Sequence, residues 1–149
     1  ASLGMNENNL RKMRSSMYSV VNDRRATAYR SRIIADGMRM AGKTGTSQVR
    51  SVVVKNSEVP WEQRDHALFV GYAPYDNPRY ACAVLVEHGG DGSSAAAPIA
   101  RDALLQALYE GEPPLEAYPT ADRARIKTQQ RRLRDVEPQA RVKKRSDQA

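Results

Sequence analysis

One cysteine, Cys82, is all the sequence contains, so no disulfide can form within the chain. It sits in an apolar run and reads as a buried structural thiol. Long hydrophobic runs are also missing. The longest, Tyr80 to Val86, is far short of the ~20 residues needed to cross a bilayer. The opening residues are polar and do not read as a signal peptide. Histidine is scarce: His66 and His88 lie at opposite ends of two predicted strands and lack an H-x-x-x-H type of spacing. Ordinary strand-end histidines are therefore expected, with no metal site and no cofactor. No serine has a lysine three positions later, and no Ser-x-Asn occurs. Internal repeats are absent.

Charge is abundant but unevenly placed. Of 149 residues, 1–120 carry 14 basic and 13 acidic side chains, whereas 121–149 carry 10 and 4. The net charge of +7 thus belongs almost entirely to the tail. With few apolar residues, segment 119–149 has little burial to offset its ordering entropy and is expected to be disordered. Its charges are not interleaved with aromatic residues, which argues against base stacking. Residues 1–118 form one predicted folded part.

Local patterns give that part an α+β class. Leu10, Met13, Met17, Val20 and Val21 recur at intervals of three and four, predicting a helix over 8–21. Residues 43–54 are rich in β-formers and predict a strand. "HALFVGYAP" and "RYACAVLVEHG" flank "YDNP" as a β-hairpin. The second hairpin strand is apolar on both faces, as in a central strand covered on both sides. "SSAAAPIARDALLQALYEG" predicts a helix capped by Ser93 or Ser94, with Ile99, Leu104, Leu105 and Leu108 buried, and ended by Gly111. Three antiparallel strands with helices packed on them are the expected architecture.

The stretch "GMRMAGKTGTSQVR", Gly37 to Arg50, satisfies two motifs at once. Gly37 to Thr44 fits the phosphate loop G-x-x-x-x-G-K-[ST], and Lys43-Thr44-Gly45 is the K-T-G triplet of serine acyl-transfer enzymes. A phosphate loop needs a helix starting at Lys43, but Gly45 and the valines beyond it disfavour one. K-T-G needs an extended strand along a cleft. There Lys43 can face the cleft, Gly45 admits a substrate backbone, the hydroxyls of Thr44 and Thr46 bind a carboxylate, and the Thr46 N–H donates to a developing oxyanion.

"MAGKTGTSQV", "RDHALFVGYAPYDNPRYACAVLVEHGG" and "SSAAAPIARDAL", spread over residues 5–112, together resemble the end of the transpeptidase domain of class B penicillin-binding proteins. The resemblance implies a β-lactamase/transpeptidase-like fold, here incomplete, in which the three strands belong to a five-stranded antiparallel sheet. It implies a peptidoglycan D,D-transpeptidase of cell-wall elongation, acting by serine acyl transfer at the periplasmic face of the inner membrane. Stem peptides ending in D-Ala-D-Ala, β-lactams and elongation-machinery membrane proteins would be its partners, and no cofactor is needed. By the same resemblance Lys43 and Thr46 are catalytic, and Thr44, Gly45 and Thr46 bind substrate. The family's S-x-x-K and S-x-N motifs precede K-T-G and are missing, so the chain reads as the C-terminal part of a longer enzyme, inactive alone. Tyr75-Asp76-Asn77 fits a Y-x-N variant only superficially, since it comes after K-T-G and sits in a turn. Ala26-Thr27-Ala28 stands where the family usually has Gly-Thr-Ala. Glu87 and Asp91 read as solvated residues of a glycine turn, Trp61 as a loop anchor, and Arg24-Arg25 as the cover of a helix end. The alternative functions are a non-catalytic interaction module whose basic tail binds anionic partners, and a phosphate-loop nucleotide binder.

Overall fold

A computed structural model describes residues 4–52 and 54–146, with side chains described through residue 136. Asn6 caps the first helix by accepting from the N–H groups of Asn8 and Asn9, and α1 then runs Glu7–Asn22. The apolar stripe is covered only toward its C-terminal end. Val21 is fully buried, whereas Met13 is 49% exposed. Hydrogen bonds at both halves of α1 tie it to the rest of the chain. Asn22 Nδ2 donates to Met40 O at 2.9 Å, and the Arg14 guanidinium donates to Tyr75 O at 2.8 Å.

Three strands form one antiparallel sheet in the order β1-β2-β3: β1 Ala41–Ser47, β2 His66–Ala73 and β3 Tyr80–Val86. The α+β expectation holds. The strand expected over 43–54 starts earlier and stops at Ser47. Asp65 Oδ1 accepts from the Val49 N–H, and Arg50 Nε donates to Gln63 O, which bends the chain away from the sheet. Val52 is exposed there, so its β propensity has nothing to pack against, and Val53 lies outside the described residues. The expectation for the second hairpin strand also fails. Among the described residues β2 is the central strand, while β3 lies at an edge with Leu85 58% exposed.

The buried face of the sheet carries Ala67, Phe69, Gly71 and Ala73, opposite Val86, Val84, Cys82 and Tyr80. Phe69 lies flat across two opposed glycines. A Cβ added at Gly42 or Gly71 would collide with its ring. Against this face packs α2, Ala97–Tyr109, through Ala97, Ala100, Leu104 and Leu105. Its entry is one wide helical turn, Gly92–Ala96. Asp91, rather than Ser93 or Ser94, is the cap, accepting from Ser93 N–H and Oγ. Ile99, expected inside, is exposed, because Leu104, Leu105 and Leu108 define the inward side. The left-handed residue ending α2 is Glu110, not Gly111.

Segment 120–146, expected to be disordered, is instead a helix, α3, Thr120–Ser146. Its first turns find partners that composition alone does not reveal. Ile126 is buried, Gln130 Nε2 donates to Pro113 O at 2.7 Å, and Asp122 meets the fully buried Arg101 at 2.5 Å. Arg101 also donates to Asp102 at 2.8 Å and lies over the Tyr118 ring.

Candidate active site

Lys43, Thr44, Gly45 and Thr46 all lie on β1, whose outer edge pairs with no other strand among the described residues. Directly opposed residues of an antiparallel pair share a face. Thr44 lies opposite Phe69 and Thr46 opposite Ala67, so both threonines belong to the core side of the sheet. Lys43 lies opposite Val70 and Gly45 opposite Leu68, on the open side. The pleat therefore separates Lys43 from the two hydroxyls across the strand.

The strand's backbone parity can be read at Gly92. A Cβ built there would lie 2.7 Å from Gly45 O, 3.2 Å from Gly45 N and closer still to Leu68 O. One point can be near all three atoms only if the polar groups of Gly45 face Leu68 across the ladder. Alternation then turns the N–H and C=O groups of Thr44 and Thr46 to the free edge. Lys43 agrees with this: its Nζ curls onto Thr44 O at 2.7 Å. Neither threonine hydroxyl has a hydrogen-bond partner among the described residues. The rim of β1 thus offers an outward N–H, free hydroxyls and an exposed ammonium along one short stretch. Such an edge can take an extended peptide as an added strand and hold a carboxylate beside it. A helix beginning at Lys43 is absent, which removes the phosphate-loop reading.

The model of the penicillin-binding protein transpeptidase domain matches residues 2–105. The chain belongs to that family. It is 42% identical over 108 residues to the peptidoglycan D,D-transpeptidase MrdA of Haemophilus influenzae, covering 68% of this chain but 16% of that protein. MrdA of Salmonella typhimurium is 36% identical over 102 residues, covering 66% of this chain and 16% of that protein. Among solved structures, the complex of PBP2 with MreC from Helicobacter pylori gives a TM-score of 0.57 at 34% identity, covering 70% of this chain and 18% of that one. Pseudomonas aeruginosa PBP2, solved in complex with WCK 5153, gives 0.54 at 34% identity, covering 78% and 22%. This chain therefore spans about a sixth of the curated relatives it matches. Its sheet, with α1 and α2, is a portion of the transpeptidase fold.

Within this transpeptidase portion, the other candidate residues have structural partners. His66 and His88 do not lie at opposite ends. The hairpin folds the start of β2 beside the end of β3, and their rings sit 4.8 Å apart. His66 Nδ1 accepts from the His88 N–H at 2.9 Å, and His88 Nδ1 lies 3.0 Å from Arg64 O. Trp61 packs edge-on against His88 at 4.8 Å, which anchors its loop although the indole is largely exposed. Among the described residues no cluster of three or more potential metal ligands exists. Burial pushes the Cys82 thiol up from its ordinary range, and Sγ faces Ala100 O at 4.0 Å, as suits a packing residue. Asp91 is not merely solvated. Burial pushes its carboxyl up, but hydrogen bonds from Ser93 and Ser94 outweigh this and hold it below the usual carboxylate range. Gly92 itself is inconspicuous in the sequence as one glycine of a turn. Its clue is its place one residue after Asp91, where a cap begins a helix.

Proposed function

We propose that this chain is the K-T-G-bearing part of a peptidoglycan D,D-transpeptidase of cell-wall elongation, with residues 1–118 as its transpeptidase portion and α3 appended. The observation that carries the reading is the free edge of β1. There the Thr46 N–H points outward beside unengaged hydroxyls, on a strand whose Gly45 groups are already paired. In this reading a stem peptide ending in D-Ala-D-Ala lies along the β1 edge. A serine supplied by another segment attacks the D-Ala–D-Ala carbonyl, and D-Ala leaves with a proton. The acyl-enzyme is then resolved by an amine of a neighbouring peptide strand. The Thr46 N–H stabilises the oxyanion, Thr44 and Thr46 hydroxyls hold the terminal carboxylate, and Lys43 supplies positive potential toward it. Gly45 presents no side chain to the incoming backbone. β-Lactams would enter as mimics of the dipeptide. The complete enzyme would act at the periplasmic face of the inner membrane beside elongation-machinery membrane proteins. The relatives named MrdA, and a PBP2 solved together with MreC, support that assignment.

The test is acylation by a labelled penicillin, read by intact mass. With no S-x-x-K serine, the chain alone is expected to stay unmodified. A chimaera of Haemophilus MrdA carrying residues 5–112 in place of the matching segment should be labelled. In it, Lys43→Ala should slow acylation by at least about 100-fold and Thr46→Val by about 10-fold, with melting temperature little changed. A folded chimaera that acylates at the same rate with and without these changes would remove the K-T-G assignment.

A further inference from the structure

A concavity lies between the chain leaving α1, the entry to α2 and the start of α3. It encloses about 790 Å3. Arg24, Arg25, Thr27, Tyr29, Arg30 and Arg125 line it. The guanidinium groups of Arg24, Arg25 and Arg30 have no hydrogen bond or ion pair among the described residues. Three cations facing one cavity repel each other, and nothing in the fold requires them there. Covering the end of α1 does not account for them, because the Asp23 N–H already bonds Ser19 O and the cap is made by backbone.

The segment bearing them is held in place. Ala28 is buried and its N–H donates to Val20 O at 3.0 Å, while the buried Ser31 donates through Oγ to Ser93 O at 3.4 Å. Two carboxylates also line the cavity, Asp91 and Asp122. Both are engaged: Asp91 caps the α2 entry, and Asp122 meets the buried Arg101. The free groups are therefore cationic guanidiniums together with the Thr27 and Tyr29 hydroxyls. Arg125 also borders an adjoining hollow of about 390 Å3 with Thr128 and Arg132, so the positive surface continues along α3.

We propose that this cavity binds a phosphate group carrying more than one negative charge, either free or as the headgroup of an anionic lipid. Guanidinium forks match phosphate oxygens in geometry, and three unpaired forks exceed what a single carboxylate neutralises. Because Arg24, Arg25 and Arg30 are exposed and hold no hydrogen bond or ion pair among the described residues, replacing them is expected to leave the fold intact.

Calorimetric titration of the chain with inorganic pyrophosphate at low ionic strength tests this. One saturable site is expected, weakened at least about 10-fold in Arg24→Gln/Arg30→Gln and unchanged in Arg11→Gln on the far part of α1. Arg25→Gln, made singly, should weaken it with an unaltered melt. No saturable binding, equal affinity in the double variant, or equal affinity for malonate would overturn the proposal. Co-sedimentation with phosphatidic acid vesicles, whose headgroup is a phosphomonoester, against phosphatidylcholine vesicles separates the two sources. Phosphatidic acid binding displaced by pyrophosphate identifies the headgroup, and saturable pyrophosphate without vesicle binding identifies a soluble phosphate. Vesicle binding that persists undiminished in the double variant would overturn the cavity as the site.

Discussion

Gly92 shows how one hydrogen in place of a side chain can set the chemistry of a neighbouring strand. Its α-carbon rests on the Gly45–Leu68 pair, and a methyl group there would strike backbone oxygens that cannot rotate aside. Gly92→Ala is therefore expected to destabilise the chain by about 1–3 kcal/mol, the usual cost of overpacking. Denaturant melts measure this, and a variant as stable as the parent would show that the turn and β1 are not in firm contact. Tyr118 gives a second residue-scale test. Burial, with the nearby Asp102 charge as the next cause, pushes its hydroxyl up to about 12, above the ordinary 10. The unfolded chain releases this proton first. The contribution to stability is therefore complete below pH 10 and is lost between 10 and about 12. Ultraviolet titration of tyrosinate should show one late-ionising group that Tyr118→Phe removes. If the late step survives in that variant, the assignment fails.

At the scale of elements, α3 is the clearest departure from what composition foretells. Arg125, Lys127, Arg131, Arg132 and Arg134 all stand exposed along it, yet among its described side chains the buried Ile126 and a few polar contacts seat it. Ile126 fills a place beside Tyr118, and Gln130 satisfies the Pro113 carbonyl. Ile126→Ala should cost about 2–5 kcal/mol if this side chain seats the helix, with the loss visible in far-ultraviolet circular dichroism on heating. A loss under about 1 kcal/mol would mean that α3 is only peripherally attached. Patterns that repeat were readable in the sequence, and isolated contacts were not. The hairpin was legible because two apolar runs flank a turn of Asp-Asn-Pro. The end of β1 was not, because Val49 and Val52 have the composition of a strand, while Asp65 and Gln63, far along the chain, pull the backbone away. The histidine pair could have been read. Antiparallel strands bring the start of one beside the end of the next, so His66 and His88 had to be neighbours.

For the molecule as a whole, the open side of the sheet is the main energetic liability. Leu68, Val70, Ala83 and Leu85 share that side, with Val70 47% exposed. A stripe of this kind invites dye binding and self-association in isolation. The chain should enhance the fluorescence of 8-anilinonaphthalene-1-sulfonate, and Val70→Thr/Leu85→Thr should reduce both that signal and the particle size seen by light scattering. An unchanged signal would place the apolar surface elsewhere, on the uncovered half of α1. The candidate acyl-transfer edge was legible as a K-T-G triplet on a strand. Which backbone groups face outward was not, because parity depends on how β1 is packed and not on its own residues.

That parity is protected by the aromatic slab of Phe69. The seat beneath its ring accepts only a residue without a side chain, and Gly42 occupies it opposite Gly71. Sliding β1 by one position would bring Ala41 or Lys43 under the ring, and sliding it by two would bring Met40 or Thr44. All four carry a Cβ and are rejected. A three-residue slide would seat Gly45, but an odd shift exchanges the two faces of the strand and drives Lys43 toward the core. Phe69 therefore acts as a gauge that reads the strand's alignment, and the one alignment it admits without inverting the strand leaves the Thr46 N–H pointing outward.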